Sequence, residues 1–243
     1  MRFTALLLSS LLVAPAQADD AFSRCLLDLR APAAKAGISA PNYARFTAGL
    51  APDPTVLEAL DYQPEFKTPI WDYFAGLVDD ERIADGRAQW QAHAETLRAI
   101  EQRYGVDAAV LVALWGVESD FGRIKGGRPL LQSLATLSCA GRRQPYFRSE
   151  LFAALNILQS GDVTPESLRG SWAGAFGQTQ FMPSTFLRIA VDFDGDGRRD
   201  LVDNPGDALA SAARYLQDAG WRRGQSWGFE VALPKGFDAA LAG

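Results

Sequence analysis

Apolar residues recur every three to four positions along most of this chain, which is the period of an amphipathic helix. In the first such stretch Phe22, Leu26 and Leu29 share one helix face, and Gly37 ends the pattern. No segment alternates strongly between apolar and polar residues, so the predicted fold class is mainly α. Helices are predicted over 22–36, 81–104, 107–119, 130–137 and 145–159, for a short stretch from Pro183, and over 205–219.

The stretches between these helices are rich in glycine, proline or polar residues, and they are predicted to be loops. Residues 121–129 and 170–180 are glycine-rich, 192–203 are mostly polar, and 52–73 combine prolines with aromatic side chains. No internal repeat interrupts this order. We therefore expect residues 19–243 to form one domain.

The first 18 residues differ from the rest of the chain. Arg2 precedes a short apolar run from Ala5 to Ala14, and Ala16-Gln17-Ala18 has the A-x-A form of a cleavage site. This pattern predicts a signal peptide over residues 1–18 and export to the periplasm. An N-terminal buried helix or a membrane anchor is the alternative, although the run is short for a bilayer span. No cysteine follows the cleavage site, so no lipid attachment is expected.

Composition and charge narrow the class of protein further. The chain is 48% hydrophobic and 22% charged, with a net charge of −5, as is typical of an ordinary globular protein. An acidic chain without a cluster of Lys and Arg is poorly suited to nucleic acid or to an anionic membrane surface. We expect a soluble monomer that spans no membrane.

The chain contains two cysteines, Cys25 and Cys139. An isolated pair in an exported protein is often a disulfide, which here would join the start of the mature chain to its middle. Two buried thiols are the alternative.

Several kinds of catalytic site can be excluded by counting. The chain has a single histidine, His93, so zinc sites built from several histidines are ruled out. A Ser-His-Asp triad would depend on His93, which is predicted to lie on a polar, solvated helix face. No phosphate-binding glycine motif is present. Carboxylates remain as the candidates for chemistry.

Glu118 is the carboxylate whose position is most informative. It shares a helix face with Leu111 and Leu114, at the spacing i, i+3, i+7. Burial beside apolar side chains raises the pKa of a carboxyl group, as a general acid near neutral pH requires. A polar residue at the point where the helix reaches the surface is an equally good explanation.

Residues 170–184 combine glycines, aromatic rings, hydroxyls and amides. Glycine lets a ligand approach the backbone closely, while aromatic faces and uncharged hydrogen-bonding groups suit a sugar. Composition alone would also allow an ordinary loop.

Residues 192–203 match the EF-hand calcium loop, with acids at positions 1, 3, 5 and 9 and glycine at position 6. Position 12 is Asp203 in place of the usual glutamate, and Asp207 is another possible closing ligand. A solvated acidic turn is the alternative, although its like charges would repel one another. The predicted ligands of a structural Ca²⁺ are Asp192, Asp194, Asp196, the carbonyl of Arg198, Asp200 and Asp203.

Together these motifs resemble the lytic murein transglycosylase B family. The resemblance covers about Pro64 to Trp221 and is carried by residues 116–122, 134–137, 171–184 and the calcium loop 192–203. It implies a lysozyme-like fold, related to goose-type lysozyme, and an enzyme that cuts the β-1,4 bond between MurNAc and GlcNAc in peptidoglycan. It also implies that Glu118 is the catalytic acid and base.

The resemblance implies further site residues. Ser171 and Gln180 match positions that contact the muramyl sugar, while Tyr73 and Tyr215 match aromatic positions of the cleft. Members of the family usually continue well past the position of Gly236, so part of the family domain is expected to be missing from this chain. A binding module without activity is therefore one alternative function.

The sequence offers a single candidate carboxylate, Glu118, whereas ordinary glycosidases place two carboxylates beside the sugar. Asp120 lies two residues from Glu118 and should point to another side of the helix. The resemblance implies that the 6-hydroxyl of the muramyl sugar attacks its own C1, which gives a 1,6-anhydro end without water, and we expect no catalytic cofactor. A muramidase-type hydrolase, in which water attacks instead, is the other alternative.

Overall fold

The structure, a computed structural model, describes residues 16–62, 68–226 and 228–238. These residues are mainly helical, which confirms the predicted fold class. Two short antiparallel strands, β1 (Arg128–Pro129) and β2 (Arg169–Gly170), pair with each other. The helices are α1 (Ala16–Asp28), α2 (Arg30–Lys35), α3 (Ala40–Thr47), α4 (Pro54–Asp61), α5 (Ile70–Leu77), α6 (Asp80–Ala92), α7 (Ala94–Tyr104), α8 (Ala108–Ser119), α9 (Leu130–Cys139), α10 (Gln144–Ser160), α11 (Pro183–Ile189) and α12 (Pro205–Asp218).

Two of the predicted helices are each divided in the structure. The helix expected over 22–36 becomes α1 and α2, which meet at Leu29, and Pro32 lies in the first turn of α2, where a missing N–H costs little. The helix expected over 81–104 breaks at His93, so that α6 packs on α8 while α7 packs on α12. The predictions of single helices were wrong because each half packs against a different partner.

The region 52–73 also holds more helix than its prolines suggested. Pro54 opens α4, and Asp53 caps this helix by accepting a hydrogen bond from the backbone N–H of Thr55 at 3.0 Å. Helix α5 begins at Ile70 and has no buried residue. Pro54 therefore begins a helix, because the fixed φ of proline fits the first turn.

The larger hydrophobic cluster surrounds α9. Leu130, Leu134 and Leu137 on this helix are fully buried, and they pack among α1, α4 and α10. The smaller cluster joins α7, α8 and α12, and it includes Leu111 and Trp115 of α8. Helix α8 therefore has one side in a hydrophobic cluster, which fixes the direction of its other side chains.

A disulfide joins Cys25 of α1 to Cys139 of α9 across 114 residues of sequence. It connects the N-terminal helices to the central helix of the larger cluster. Of the predicted signal peptide, residues 1–15 lie outside the described residues, and α1 begins at Ala16. In the part of the chain that the structure describes, no helix has the length and hydrophobicity needed to cross a bilayer.

Candidate functional site

A cavity of about 290 Å³ opens between the end of α8, the loop before α11, and α12. Glu118 is the one carboxylate among the described residues that line it. The wall is otherwise apolar or uncharged. Its lining residues are Leu114, Glu118, Thr179, Gln180, Phe181, Met182, Thr185, Ala212, Tyr215 and Leu216.

Helix α8 ends in a sharp left-handed turn directly after Glu118. Asp120 and Phe121 have φ values of +51° and +56°, and the N–H of Phe121 donates to the carbonyl of Trp115 at 3.2 Å. The N–H of Asp120 donates to the carbonyl of Gly116 at 3.0 Å, so two consecutive left-handed residues close the end of the helix. The Phe121 ring then folds back against Trp115, with its centroid 5.7 Å away. The helix end is therefore held by backbone and ring contacts, and Glu118 lies on its last turn.

Ser119 connects the end of α8 to the glycine-rich loop. Its buried hydroxyl donates to the carbonyl of Gln178 at 2.5 Å and accepts from the N–H of Gly122 at 2.9 Å. Gly122 has a φ of +82°, and a Cβ there would lie 2.7 Å from Oε1 of Gln178. The residue beside Glu118 thus holds the two walls of the cavity together.

The two neighbouring acids, Glu118 and Asp120, have opposite environments. Burial raises the pKa of Glu118, whose carboxyl faces the apolar wall although much of the residue is exposed. Asp120 points to another side, where it pairs with Arg123 at 2.8 Å and lies 3.9 Å from Arg82. The hydrogen bond from Arg123 holds the pKa of Asp120 below its usual value. Asp120 is therefore paired outside the cavity that Glu118 lines.

Gln180 and Tyr215 are two predicted site residues that line the same cavity as Glu118. Gln180 has a φ of +49°, and its side-chain N–H groups donate to the carbonyls of Lys125 at 3.1 Å and Gly177 at 2.9 Å. Tyr215 projects from α12 with its ring centroid 5.9 Å from that of Phe181. An amide and an exposed aromatic ring thus lie beside the carboxylate.

Ser171 and Tyr73 are not among the residues that line the cavity. The Ser171 hydroxyl accepts from the N–H of Ala175 at 3.0 Å, and its own N–H donates to the carbonyl of Ala175 at 2.8 Å. In this arrangement Ser171 shapes the loop. Tyr73 lies on α5 and is largely exposed. Their sugar contacts stay predictions.

The sequence reasoning missed several residues of the cavity wall. Thr179 is 7% exposed and its hydroxyl has no hydrogen-bond partner among the described residues. Thr179 lies between Gln178 and Gln180 in the segment 170–184, and this position could have indicated that it lines the cavity. Ala212 and Leu216 lie three positions before and one after Tyr215, so the helical period of α12 could have indicated them.

The acidic loop brings three of its carboxylates together. Oxygens of Asp192, Asp194 and Asp196 lie within 4.8 Å of one another. The loop is shaped by its own backbone, since the N–H groups of Gly195 and Gly197 donate to Asp192 at 2.7 and 2.9 Å. Positions 1, 3 and 5 of the predicted calcium loop therefore converge.

The later acids of the loop have other partners. Asp203 lies 3.2 Å from Nζ of Lys125, and Asp200 accepts from the N–H groups of Val202 and Asp203, each at 2.9 Å. Asp207 is fully buried and accepts from the N–H groups of Phe193 and Asp200. Its burial, together with the charges of nearby Asp194 and Asp192, raises its pKa.

His93 does not occupy the middle of a helix, as the sequence reasoning expected. It lies at the junction of α6 and α7. Its ring is partly buried and meets the edge of Trp115 at a centroid distance of 5.3 Å. The prediction of a solvated helix face was wrong, since His93 packs against the Trp115 ring of the smaller cluster.

Comparisons with known proteins find a matching family model and a curated relative. The transglycosylase SLT domain model matches residues 21–243. The membrane-bound lytic murein transglycosylase B of Escherichia coli K12 is 37% identical over 184 residues, which cover 73% of this chain and 48% of that protein. The chain therefore spans about half the length of this curated relative.

Several solved structures of lytic transglycosylases are also similar to this chain. SltB3 from Pseudomonas aeruginosa, solved in complex with NAG-NAM-pentapeptide, is 50% identical with a TM-score of 0.86, over 91% of this chain and 59% of that one. Escherichia coli Slt35, solved in complex with calcium, is 31% identical with a TM-score of 0.75, over 86% of this chain and 65% of that one. With a family model that matches nearly the whole chain and a lysozyme-like helical fold shared with these enzymes, the chain belongs to the transglycosylase SLT domain family.

Proposed function

We propose that this chain is a lytic transglycosylase of peptidoglycan, which cleaves the MurNAc-β-1,4-GlcNAc bond and leaves 1,6-anhydro-MurNAc ends. The observation that carries the proposal is a single carboxylate, Glu118, in a cavity whose other lining residues are apolar or uncharged. The family membership and the sugar-peptide complex of the SltB3 relative support the same substrate class.

In the proposed first step, Glu118 donates its proton to the glycosidic oxygen as the bond from that oxygen to C1 of the muramyl sugar breaks. The raised pKa of Glu118 supports this role, because it keeps the acid protonated to a higher pH. Asp120 is not used in this step, because it forms an ion pair with Arg123. The positive charge at C1 is then stabilised by the substrate, through its N-acetyl group or the ring oxygen.

In the proposed second step, the 6-hydroxyl of the same sugar attacks C1 and gives its proton to the Glu118 carboxylate. Glu118 is thereby restored, and no water is consumed. The nucleophile is part of the substrate, which gives it a high effective concentration. Gln180 and Tyr215 would hold the muramyl sugar by hydrogen bonding and stacking, and Ser171 and Tyr73 remain further contacts inferred from the resemblance.

Digestion of purified peptidoglycan, with mass spectrometry of the products, tests this proposal. Anhydro ends are lighter than reducing ends by one water. We expect anhydro ends from the wild type and a loss of at least about 100-fold in rate for Glu118→Gln, as is typical of acid–base catalysis. Glu166→Gln is the matched control, since Glu166 is exposed and lies outside the cavity.

Other outcomes of the same digestion would contradict the proposal. Reducing muramyl ends alone would indicate a hydrolase on the same scaffold. Binding to peptidoglycan without turnover would indicate a binding module. Cleavage by Glu118→Gln within about tenfold of the wild type would remove Glu118 from the mechanism.

We further propose that residues 192–203 bind a structural Ca²⁺. The convergence of Asp192, Asp194 and Asp196 supports this, as does the calcium complex of the Slt35 relative. Position 7 would contribute the carbonyl of Arg198. Asp203 pairs with Lys125, and both carboxylate oxygens of Asp207 accept backbone N–H groups, so either residue would have to exchange a partner to complete the site.

Thermal unfolding tests the calcium proposal. Because a ligand that binds only the folded state stabilises it by mass action, EDTA should lower Tm and added CaCl₂ should restore it. Asp194→Asn should abolish this response. Asp28→Asn, an exposed change on α1, should keep it. Equal Tm values in EDTA and CaCl₂ for the wild type would rule out a structural ion.

We also propose that the chain is exported to the periplasm. The predicted signal peptide supports this, together with the cell-wall substrate proposed above. Mass spectrometry of the protein from the periplasmic fraction should find Asp19 as the first residue. An unprocessed N-terminus in the cytosolic fraction would contradict export.

A further inference from the structure

Residues 125–126 lie beside both Ser171 and Gln180, the two residues of segment 170–184 that are predicted to contact sugar. The carbonyl oxygen of Lys125 accepts a hydrogen bond from Nε2 of Gln180 at 3.1 Å. Gly126 has a φ of +85°, and a Cβ at this position would lie 2.8 Å from the backbone nitrogen of Ser171. One short stretch of backbone therefore supports Gln180 and the backbone at Ser171 together.

Gln180 requires such support. Its φ of +49° lies in the left-handed region, which is uncommon for residues other than glycine. Its two side-chain N–H groups are engaged by the carbonyls of Lys125 and Gly177. The side-chain carbonyl oxygen is consequently the atom that can accept a hydrogen bond from a sugar hydroxyl. The orientation of that oxygen depends on the position of the Lys125 carbonyl.

The side chain of Lys125 fastens this backbone to the end of the acidic loop. Its Nζ donates to the carbonyl of Val202 at 2.8 Å and lies 3.2 Å from Oδ1 of Asp203. The lysine side chain is only 29% exposed, so water screens these contacts in part. The carbonyl of Val202 also accepts from Nε2 of Gln178 at 3.2 Å.

We infer that Lys125 is a positioning residue for the sugar pocket: its ammonium, held by Val202 and Asp203, fixes the backbone carbonyl that orients Gln180. The kinetic consequence of this inference rests on the proposed function. Lys125 itself lies outside the cavity lining and touches no reacting atom. Its loss should therefore weaken the binding of the muramyl sugar and leave the acid–base step at Glu118 nearly intact.

Lys125→Met is the main variant, because it keeps the apolar stem and removes the donors. We expect kcat/KM on peptidoglycan to fall about tenfold, through KM, while kcat changes by less than about threefold. Lys125→Arg should recover most of the loss, since guanidinium can donate to both acceptors. Lys35→Met is the matched control for lost charge, as Lys35 is exposed at the end of α2.

A double-variant cycle separates positioning from a general structural effect. In a Gln180→Ala background, Lys125→Met should lower kcat/KM by less than about twofold, because the group that Lys125 orients is already absent. An equal loss in both backgrounds would overturn the inference, and so would a Lys125→Met effect carried by kcat alone. Lys125→Gln, which removes the charge and keeps an uncharged amide donor group, serves in the same cycle where Lys125→Met fails to fold.

Nuclear magnetic resonance provides a readout that does not need activity. The side-chain amide signals of Gln180 are assigned by their disappearance in Gln180→Ala. In the wild type they should exchange slowly with water, and in Lys125→Met the exchange should become faster. Unchanged signals would overturn the inference even in a protein that cuts peptidoglycan. An inactive wild type with the expected shift in exchange would reject the proposed function and retain the role of Lys125.

Discussion

At the residue scale, the proposed chemistry depends on the different surroundings of Glu118 and Asp120. Glu118 faces an apolar wall that raises its pKa, whereas Arg123 holds the pKa of Asp120 below its usual value. Two acids that lie two positions apart are thus prepared for different protonation states. Only the first of them lies in the cavity, and it is the one that the proposed mechanism uses.

The raised pKa of Glu118 predicts a pH-dependent effect of Glu118→Gln on stability. A carboxyl whose folded pKa is raised contributes stability that is present below its ordinary value of 4.5 and lost as the pH rises through the folded pKa. The neutral glutamine avoids this loss. We therefore expect Glu118→Gln to melt above the wild type at pH 7, with a difference that shrinks toward pH 3. A Tm difference that is constant with pH would contradict the raised pKa.

Two buried hydroxyls near Glu118 should respond oppositely to removal. Thr179 has no partner for its hydroxyl, so Thr179→Val should leave stability within about 0.5 kcal/mol or increase it. Ser119 bridges Gln178 and Gly122, so Ser119→Ala should cost about 1–3 kcal/mol. Urea unfolding of both variants measures the difference. A larger cost for Thr179→Val than for Ser119→Ala would show that the Thr179 hydroxyl has a partner.

At the scale of elements, the position of Glu118 is set by the packing around the end of α8. Phe121 turns back beneath the helix, where its ring contacts Trp115 and fills the space beside Gly116. Helix α6 approaches the same ring at Gly86. The direction of the turn that carries Glu118 therefore depends on the Phe121 ring, which two glycines accommodate.

These two helical glycines provide a matched pair of substitutions. A Cβ at Gly116 would lie 2.7 Å from Cζ of Phe121, whereas a Cβ at Gly86 would lie 3.4 Å from it. Alanine is favoured over glycine in helices by about 1 kcal/mol. Gly86→Ala should be neutral or stabilising, while Gly116→Ala should lose about 1–2 kcal/mol by overpacking. Equal Tm changes in the two variants would show that the Phe121 ring moves freely.

At the scale of the whole molecule, three connections join segments that are far apart in sequence. The disulfide joins α1 to α9, the short sheet joins the loop after α8 to the glycine-rich loop, and Lys125 joins that same loop to the acidic loop. The site therefore depends on contacts between segments that are distant in sequence.

Reduction of the disulfide should lower stability strongly. A bond that closes 114 residues removes about 4–5 kcal/mol of chain entropy from the unfolded state. For a chain of this size we expect Tm to fall by about 10 °C or more with a reductant. The Cys25→Ala/Cys139→Ala double variant is the control, since its Tm should not respond to reductant. An unchanged wild-type Tm would mean that the two sulfurs are not joined in solution.

Much of the fold and part of the site could be predicted from sequence because the signals are local. Helical periodicity located α8, α9, α10 and α12, Pro183 marked the start of α11, and Gly37 marked the end of the first helical stretch. The spacing of Asp192, Asp194 and Asp196 placed three acids in one loop, since a turn of that length brings alternate residues together. The break at His93 could not be predicted, because it arises from the separate packing of α6 and α7.

By itself, the sequence determined the helical class, the placement of Glu118 on the last turn of a helix, and the grouping of acids at the start of the acidic loop. Each follows from local spacing. Only the tertiary structure decided that Gln180 and Tyr215 join Glu118 while Asp120 turns to Arg123, and that Asp203 pairs with Lys125. Except for the Asp120–Arg123 pair, these contacts join residues far apart in sequence, and their geometry depends on how whole helices pack, which no local pattern encodes.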